Sequence, residues 1–486
     1  MSKRVLVVML CAAMVFALAI SPGASVDAAS TTKTLSTNYT LVNLGPAVAN
    51  VVVSYLLDTG ATWTAPAGST SFTIPANGGQ KIVRQYSDAM TPASGKGSAT
   101  VSSDQPLGAV VQILARPPQV ATSGAYSGAS AGSSKFYVPL VSRRGSSANG
   151  TTNSQIVIMN TGSAATTADV SFVGTTNFTK SGISIPAGAS YYYDLDDEAG
   201  LGTGWFGSAT VQAAVGGSVA VVSNFFTGAD AMQTFNAFPD ASVGTAWLVP
   251  LFTSRLANTL STPVAVQNLS GASVPVGGVT LSCTPDPGST GLSAFSKTNT
   301  TAIADKASYY FNPVTDTSIP ALWFGSCRVT SGSSNVVVFV QMRYTANANA
   351  AAYEAINASG TNTKSFVPLI SKRLTNGFAT AATIQNLSAT QAATVTLTYT
   401  PSPDYVTGGG SAAVLATTAV IPANSSLIQN QRLAGFTVGA TAMPDGWYGT
   451  LAVSSTGTPI DGFVQLTNYL NPAGDTFMAH NNFAQP

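Results

Sequence analysis

FYVPLVSRR, residues 136–144, recurs as WLVPLFTSR at 247–255 and as FVPLISKR at 366–373. Three copies at a nearly constant interval of about 110–120 residues predict tandem modules. Each copy is an apolar run rich in aromatic and β-branched residues that ends in a basic residue, and its proline restricts it to a strand start, a bulge or a sheet edge. We therefore predict an edge or linking strand where one module meets the next.

Two further patterns return in the same order within the modules. One is a strand that ends in asparagine, and the other is a Trp-aromatic-Gly strand. In the second of these, Trp205 shares a strand face with Gly207, Ala209 and Val211, because successive side chains alternate. The indole is therefore predicted to pack in the core. The asparagines are Asn160, Asn268 and Asn386, and the tryptophans are Trp205, Trp323 and Trp447.

Each module carries about seven or eight short strands separated by Gly, Pro and Asn turns, and no helical periodicity is visible. This pattern predicts an all-β protein made of a tandem array of four antiparallel β-sandwich modules. After a signal peptide at 1–28, the predicted modules are 29–133, 134–243, 244–363 and 364–486. The Gly/Ala/Ser-rich segment 123–134 is predicted to be a flexible link. Four modules placed end to end would make a rod on the order of 150 Å long.

The repeated Val-Pro-Leu, Asn-ending and Trp-aromatic-Gly strands resemble the tandem immunoglobulin-like modules of bacterial secreted and cell-surface proteins. The resemblance covers nearly the whole mature chain. It implies immunoglobulin-like sandwiches in a surface-layer, fibre, sheath or adhesin protein, or in spacers beside an enzyme. It carries over no catalytic residue.

The N-terminus predicts secretion. Lys3 and Arg4 precede an apolar run at 5–20, and small residues at 26–28 suit cleavage near Ala29. An uncleaved membrane anchor is the alternative, and no second apolar span follows in the mature chain. Charged residues make up 8% of the chain and the net charge is +1, which argues against a nucleic-acid or anionic-membrane partner. We expect a secreted protein that is extracellular or held at the cell surface.

The mature chain contains two cysteines, Cys283 and Cys327. Strand alternation places both side chains inward within one module. A disulfide across the sandwich suits a secreted protein and would stabilise that module by roughly 4 kcal/mol in the chain-entropy model. Two buried free thiols are the alternative.

Catalytic groups are scarce. His480 is the one histidine and has no acid near it in sequence, so a nucleophile–histidine–acid arrangement is not expected. We interpret His480 as a surface or edge residue and predict neither an enzyme nor a cofactor. The one acidic cluster comprises Asp194, Asp196, Asp197 and Glu198. Its oxygens are hard ligands that suit Ca²⁺, and a solvated loop without metal is the alternative.

Four aromatic residues are predicted to be exposed contacts for glycans or partner proteins. Phe206, Phe324 and Tyr448 follow the repeated tryptophans and therefore point away from the core, and Trp63 lies in a loop of the first module. Aromatic rings of this kind supply large contact area with a polar edge.

Four modules share only three Val-Pro-Leu strands, so one terminal module should have an incompletely paired sheet. An open sheet edge is a template for another chain, which predicts self-association through sheet edges. Cover by residues 31–36 or by the tail after Phe477 is the alternative. We expect a non-enzymatic structural protein that assembles into an extracellular filament, sheath or surface layer. The second hypothesis is an adhesin or carbohydrate-binding protein that recognises cell-surface glycans.

Overall fold

The computed structural model describes residues 35–85, 92, 95–115, 122–147, 149–347, 349–470 and 475–484 of the 486-residue chain. The predicted signal peptide lies outside them. Every strand pair in the described part is antiparallel, and strands dominate it, which confirms the predicted all-β class. Helical structure there is limited to α1 (Pro403–Thr407) and two 3-10 turns, Leu195–Asp197 and Asp240–Ser242.

The first module contains β1 (Leu35–Asn43), β2 (Ala49–Leu57), β3 (Ser71–Ile74), β4 (Gln80–Arg84), β5 (Gly97–Ser103), β6 (Leu107–Ala115) and β7 (Ser123–Ser127). They form a sheet in the order β4-β1-β6-β7, called here the inner sheet, and a sheet in the order β3-β2-β5, called the outer sheet. Strand β2 shows why such segments form a sandwich: its side chains alternate between buried and exposed, so one face covers the core.

The second module is built in the same way. Its strands are β8 (Lys135–Arg143), β9 (Gly145–Ser147), β10 (Gly150–Asn160), β11 (Thr166–Gly174), β12 (Phe178–Ile185), β13 (Ser190–Asp194), β14 (Trp205–Ala213), β15 (Val219–Thr227), β16 (Ala231–Asn236) and β17 (Phe238–Pro239). The inner sheet runs β13-β10-β15-β16 with β9 beside β10, and the outer sheet runs β12-β11-β14-β8-β17.

The third module has two five-stranded sheets. Its strands are β18 (Ala246–Ser254), β19 (Leu260–Ser261), β20 (Val264–Asn268), β21 (Thr280–Pro285), β22 (Phe295–Thr298), β23 (Ser308–Phe311), β24 (Trp323–Thr330), β25 (Val336–Tyr344), β26 (Ala350–Glu354) and β27 (Ile356–Asn357). The inner sheet runs β19-β25-β20-β23, with β26 also paired to β25, and the outer sheet runs β22-β21-β24-β18-β27.

The fourth module repeats this plan and adds a small hairpin. Its strands are β28 (Lys364–Ser371), β29 (Phe378–Asn386), β30 (Ala393–Pro401), β31 (Leu415–Ile421), β32 (Ser426–Asn430), β33 (Thr437–Val438), β34 (Thr441–Ala442), β35 (Tyr448–Ser455), β36 (Ile460–Asn468), β37 (Phe477–Asn481) and β38 (Phe483–Ala484). The inner sheet runs β32-β29-β36-β37, the outer sheet runs β31-β30-β35-β28-β38, and β33 pairs with β34.

The Val-Pro-Leu strands β8, β18 and β28 each belong to the module that follows them in sequence. Each pairs on both sides, with the tryptophan-bearing strand and with a short last strand. The prediction of an edge or linking strand is therefore wrong. The pairing shifts register beside each proline, for example between Val249 and Phe252. A bulge of this kind lets proline, which has no N–H, lie inside a sheet.

The arginine that ends each copy of the Val-Pro-Leu strand binds a loop of its own module. Arg144, Arg255 and Arg373 all adopt a left-handed backbone conformation with φ of 45°. The Arg255 guanidinium donates to backbone carbonyls of the loop after β23, including that of Asp316 at 3.0 Å. The other two form ion pairs with carboxylates of the corresponding loops. The repeated arginine therefore has a structural explanation.

A buried asparagine ends the central strand of every inner sheet. Asn386 is fully buried, and its Nδ2 donates to the carbonyls of Gln391 at 2.7 Å and Ile421 at 3.0 Å. Its Oδ1 accepts the backbone N–H of Ser388 at 2.9 Å. The amide thus joins two turns that lie far apart in sequence. The same contacts recur at Asn43, Asn160 and Asn268.

The tryptophans occupy the sandwich cores, as the alternation predicts. Trp205, Trp323 and Trp447 are at most 2% exposed. The indole N–H of Trp205 donates to the carbonyl of Thr176 at 2.7 Å, so burial leaves no unpaired donor on that ring.

Cys283 and Cys327 form a disulfide. The two residues lie directly opposite each other on β21 and β24, with Cα atoms 4.0 Å apart. The bond therefore joins neighbouring strands of one sheet, and the expectation of a bridge across the sandwich is wrong. Because the sequence separation is 44 residues, it closes a long loop of the unfolded chain.

The four modules form a closed ring, so the prediction of an extended rod is wrong. Each Val-Pro-Leu proline carbonyl accepts a hydrogen bond from the next module. Ser308 Oγ donates to Pro139 and Ser426 Oγ donates to Pro250, both at 2.7 Å. Gln80 Nε2 donates to Pro368 and so joins the last module to the first. We call each contact between consecutive modules a seam.

The centre of the ring is a bundle of four strands, one from each inner sheet. Strands β7, β16, β26 and β37 pack side by side around it. The approach is close: a Cβ atom on Gly124 would lie 2.2 Å from Oγ1 of Thr234. Small residues in β7 are therefore required by packing. The prediction of a flexible link over 123–134 is wrong for Ser123–Ser127, which form a mostly buried strand.

Asp475 joins all four modules at one end of this bundle. Its Oδ2 accepts the backbone N–H of Met232 at 2.7 Å, and its Oδ1 accepts those of Ala350 at 3.0 Å and Phe477 at 3.2 Å. Its carbonyl accepts the hydroxyl of Ser123 at 3.0 Å. The side chain is fully buried, and burial raises its pKa well above the ordinary value against the effect of these hydrogen bonds.

His480 is 2% exposed, so it is not a surface residue, although the strand that carries it, β37, is at the edge of its inner sheet. The strand register gives it the position that Tyr126, Phe235 and Tyr353 hold in the other modules. Two of these rings pack on an aromatic ring of the next module, Phe235 on Phe339 and Tyr353 on Phe463, with centroids 4.0 and 3.9 Å apart. His480 is thus the fourth ring at this position, where Phe235 and Tyr353 are also buried and Tyr126 is half-buried.

We expect His480→Tyr to stabilise the protein in acid. Burial lowers the pKa of His480 from 6.5 to about 4, so the neutral ring contributes stability above pH 6.5 that is lost as the pH falls toward 4. The difference in the free energy of unfolding between the variant and the wild type should therefore rise by about 2–3 kcal/mol, in favour of the variant, when the pH is lowered from 7.5 to 4.5. Denaturant unfolding at both pH values measures this change. His480→Gln should show the same pH trend, and a constant difference across this range would contradict the interpretation.

Candidate functional site

Comparison of the four modules shows that the outer sheet of the first module has fewer strands than the others. In the last three modules the tryptophan-bearing strand pairs on its far side with a Val-Pro-Leu strand. The corresponding strand of the first module is β5, which ends the order β3-β2-β5. Among the described residues nothing pairs with its far side. The equivalent Val-Pro-Leu position falls before Leu35, in residues that the structure does not describe.

The edge of β5 is uncharged and largely open. Ala99, Thr100, Ser102 and Ser103 are exposed. Its first residues contact the second module: the hydroxyl of Tyr192 donates to the carbonyl of Gly97 at 2.6 Å. Edge strands that lack charge, proline or cover are templates for pairing.

The facing surface of the second module is also incompletely covered. At the other three seams the Val-Pro-Leu strand packs on the inner sheet of the next module. Val157, Met159 and Val222 hold the corresponding positions in the second module and are only half-buried. The residues at the same positions in the other three modules are at most 1% exposed. They are Thr40, Ala265 and Thr383 for Val157, then Val42, Gln267 and Gln385 for Met159, and Val110, Phe339 and Phe463 for Val222.

We call the open edge of β5 and the half-buried face of Val157, Met159 and Val222 the strand slot. A single extended strand would pair with this edge and cover this face, as the Val-Pro-Leu strands do in the other modules. The tail after Phe477 does not fill it, because β37 and β38 belong to the sheets of the fourth module. Of residues 31–36, Leu35 and Ser36 belong to β1 of the inner sheet, and the others lie outside the described residues.

The predicted aromatic contacts do not converge. Phe206 is 43% exposed and packs edge-on against Tyr310 of the third module, with centroids 6.2 Å apart. Phe324 and Tyr448 hold the same position in the next two modules and are half-buried. Trp63 is half-buried in the first module. Each ring therefore lies in its own module, and no common platform forms.

Three of the four side chains in the predicted calcium loop contact side chains of their own module. Asp194 accepts a hydrogen bond from Asn153 Nδ2 at 2.8 Å, Asp196 pairs with Arg144, and Glu198 pairs with Lys180 at 3.3 Å. Asp197 is exposed. No three His, Cys, Asp or Glu side chains converge anywhere in the described part of the chain. Two of the four carboxylates thus pair with cationic side chains, which gives no support to the calcium interpretation.

Sequence reasoning missed the residues that matter at the ring centre and at the slot. Asp475 is a single acid in a polar segment, and Val157 and Met159 belong to an ordinary strand. Only the comparison of equivalent positions, once the register is known, sets these residues apart.

No protein-family model and no curated protein matches this chain. In the described residues, no helix has the length and apolar character needed to cross a membrane.

Proposed function

We propose that this protein is a secreted, non-enzymatic structural protein of the cell surface whose copies join through the strand slot. The assembly would be an extracellular filament, sheath or surface layer. The observation that supports this proposal is the strand slot itself, where no described residue supplies the strand that pairs with the edge and covers the apolar face in the other modules.

The occupant is strand β31 of a second copy. Among the outer-sheet edges that the structure describes, β3 and β22 have four residues each, and β12 carries Lys180. Strand β31 has seven residues, Leu-Ala-Thr-Thr-Ala-Val-Ile, and no charge. Length and lack of charge therefore match it to β5, which also has seven residues.

The two faces of β31 suit the slot as well. Its residues alternate between half-buried and exposed, and Val420 is 63% exposed. One face already packs on the fourth module, so the other, with Ala416, Thr418 and Val420, would cover Val157 and Met159. A contact between two different surfaces generates an open chain of subunits unless its rotation closes a ring.

The mature protein, residues 29–486, should form regular filaments or sheets in negative-stain electron microscopy. Lysines disfavour pairing at a sheet edge. Thr100→Lys/Ser102→Lys and Thr418→Lys/Val420→Lys should each raise the concentration needed for assembly by about tenfold or more, a change of at least about 1.4 kcal/mol. Thr179→Lys/Ser181→Lys on β12 is the matched control and should assemble normally.

Mixing provides the decisive measurement. The β5 variant keeps an unchanged β31 and the β31 variant keeps an unchanged β5. Each variant alone should therefore be monomeric, and a mixture of the two should form a one-to-one dimer. Size-exclusion light scattering measures these masses. A wild-type protein that stays monomeric at high concentration would overturn the proposal. Equal loss of assembly in the β12 control would remove β5 and β31 as the contact.

A further inference from the structure

A cleft of about 320 Å³ opens at the end of the central bundle opposite Asp475. It lies where the second, third and fourth modules meet. Its apolar wall includes Phe238 and Trp247, which pack edge-on with centroids 5.5 Å apart. Its polar wall includes Glu354, Asp461 and Asn481. The cleft therefore combines two carboxylates with an aromatic wall.

The positions of these two acids can be compared with the equivalent positions of the other three modules. The residues at the position of Glu354 in the other modules are Ser127, Asn236 and Asn481. The residues at the position of Asp461 are Gly108, Ala220 and Val337. None of these six is charged. Each position is thus uncharged in the three other modules, and both acids occur at one seam.

No cationic side chain in the described part of the chain pairs with either carboxylate. Oε1 of Glu354 accepts the backbone N–H of Asn236 at 2.6 Å, and Oδ1 of Asp461 accepts that of Gly462 at 2.8 Å. Neither forms an ion pair with any described residue. Burial raises the pKa of each to about 7, because removal from water disfavours the charged form. A cation in the cleft would relieve this cost.

The donor set favours an organic cation over a metal ion. The cleft has two carboxylates, and no three His, Cys, Asp or Glu side chains converge in the described residues, whereas Mg²⁺ and Ca²⁺ need several oxygens at once. An ammonium group requires fewer oxygens, and its carbon substituents can pack on aromatic rings.

We propose that this cleft binds a small organic cation, with its ammonium group at Glu354 and Asp461 and its carbon skeleton against Phe238 and Trp247. This site is independent of the strand slot, which lies at a different seam. Binding should also draw protons off the two acids near neutral pH, because the cation favours their charged forms.

Isothermal titration of the mature protein with 1,4-diaminobutane and with choline tests the proposal. At pH 8 at least one of the two amines should bind at millimolar concentration or below, and 3,3-dimethylbutanol, an uncharged analogue of choline, should not. Glu354→Gln and Asp461→Asn should each weaken binding by about tenfold or more, as expected for loss of a buried charge pair. Asp197→Asn, in the exposed acidic loop, should leave it unchanged.

Proton release gives a second readout. At pH 7 the binding enthalpy should vary with the ionisation enthalpy of the buffer, and the double variant Glu354→Gln/Asp461→Asn should lose this variation. Thermal melting verifies that the variants remain folded. The proposal is overturned if neither amine binds at millimolar concentration, or if the folded double variant binds as tightly as the wild type.

Discussion

Asp475→Ala is expected to destabilise the protein by about 3–5 kcal/mol, because it leaves buried backbone donors from three modules without an acceptor. The fully buried carboxylate accepts the N–H groups of Met232, Ala350 and Phe477. Alanine offers no oxygen, and the surrounding backbone belongs to packed strands that cannot easily turn toward water. Denaturant unfolding at pH 7, with fluorescence and circular dichroism recorded together, measures the loss.

Two controls separate the acceptor role from charge alone. Asp197→Ala removes an exposed acid and should change stability by less than about 0.5 kcal/mol. Asp475→Asn keeps an oxygen for Ala350 and Phe477 but turns an amide N–H₂ toward the N–H of Met232, so its cost should fall between the other two. A loss below about 1 kcal/mol in Asp475→Ala would show that Asp475 does not hold the modules together.

Asn386→Ala should cost about 2–4 kcal/mol, since the amide satisfies several buried backbone groups at once. Its Nδ2 donates to the carbonyls of Gln391, Ile421 and Pro422, and its Oδ1 accepts the N–H of Ser388. Loss of the side chain leaves these groups buried and frees both turns. Asn386→Asp should cost still more at pH 7, because it places a carboxylate against carbonyl oxygens.

The control for this residue is Asn177→Ala, which removes an exposed asparagine from a turn. It should change stability by less than about 0.5 kcal/mol. Thermal and denaturant unfolding of all three variants gives the comparison. If Asn386→Asp were as stable as the wild type, the amide could not be donating to the three carbonyls, and the repeated asparagine would need another explanation.

Local patterns in the sequence determined the class of fold and much of each module. Alternation placed Trp205, Trp323 and Trp447 in the cores, because a strand directs every second side chain to the same face. The spacing of the Val-Pro-Leu, asparagine and tryptophan strands predicted repeated sandwiches. These signals depend on neighbouring residues only, so they can be interpreted without knowing which strands pair.

The same signals were ambiguous where pairing partners mattered. The proline of each Val-Pro-Leu strand was compatible with an edge, a strand start or a bulge, and the structure selects the bulge. Alternation directed Cys283 and Cys327 inward but did not distinguish a partner across the sandwich from one on the neighbouring strand. The acidic loop was compatible with Ca²⁺ until Arg144 and Lys180 were found beside its carboxylates.

The ring and everything at its centre depended on the tertiary structure alone. Ser123 and Asp475 are in contact although they are 352 positions apart in the sequence, and neither local sequence indicates that the other is its partner. This closure explains why β7 needs small residues and why His480 lies at a position that holds aromatic rings in the other modules. The sequence by itself determined the modules, since their signals are periodic and local. Their arrangement in a ring was decided by packing and hydrogen bonds between distant segments. Such contacts produce no periodic pattern in the sequence.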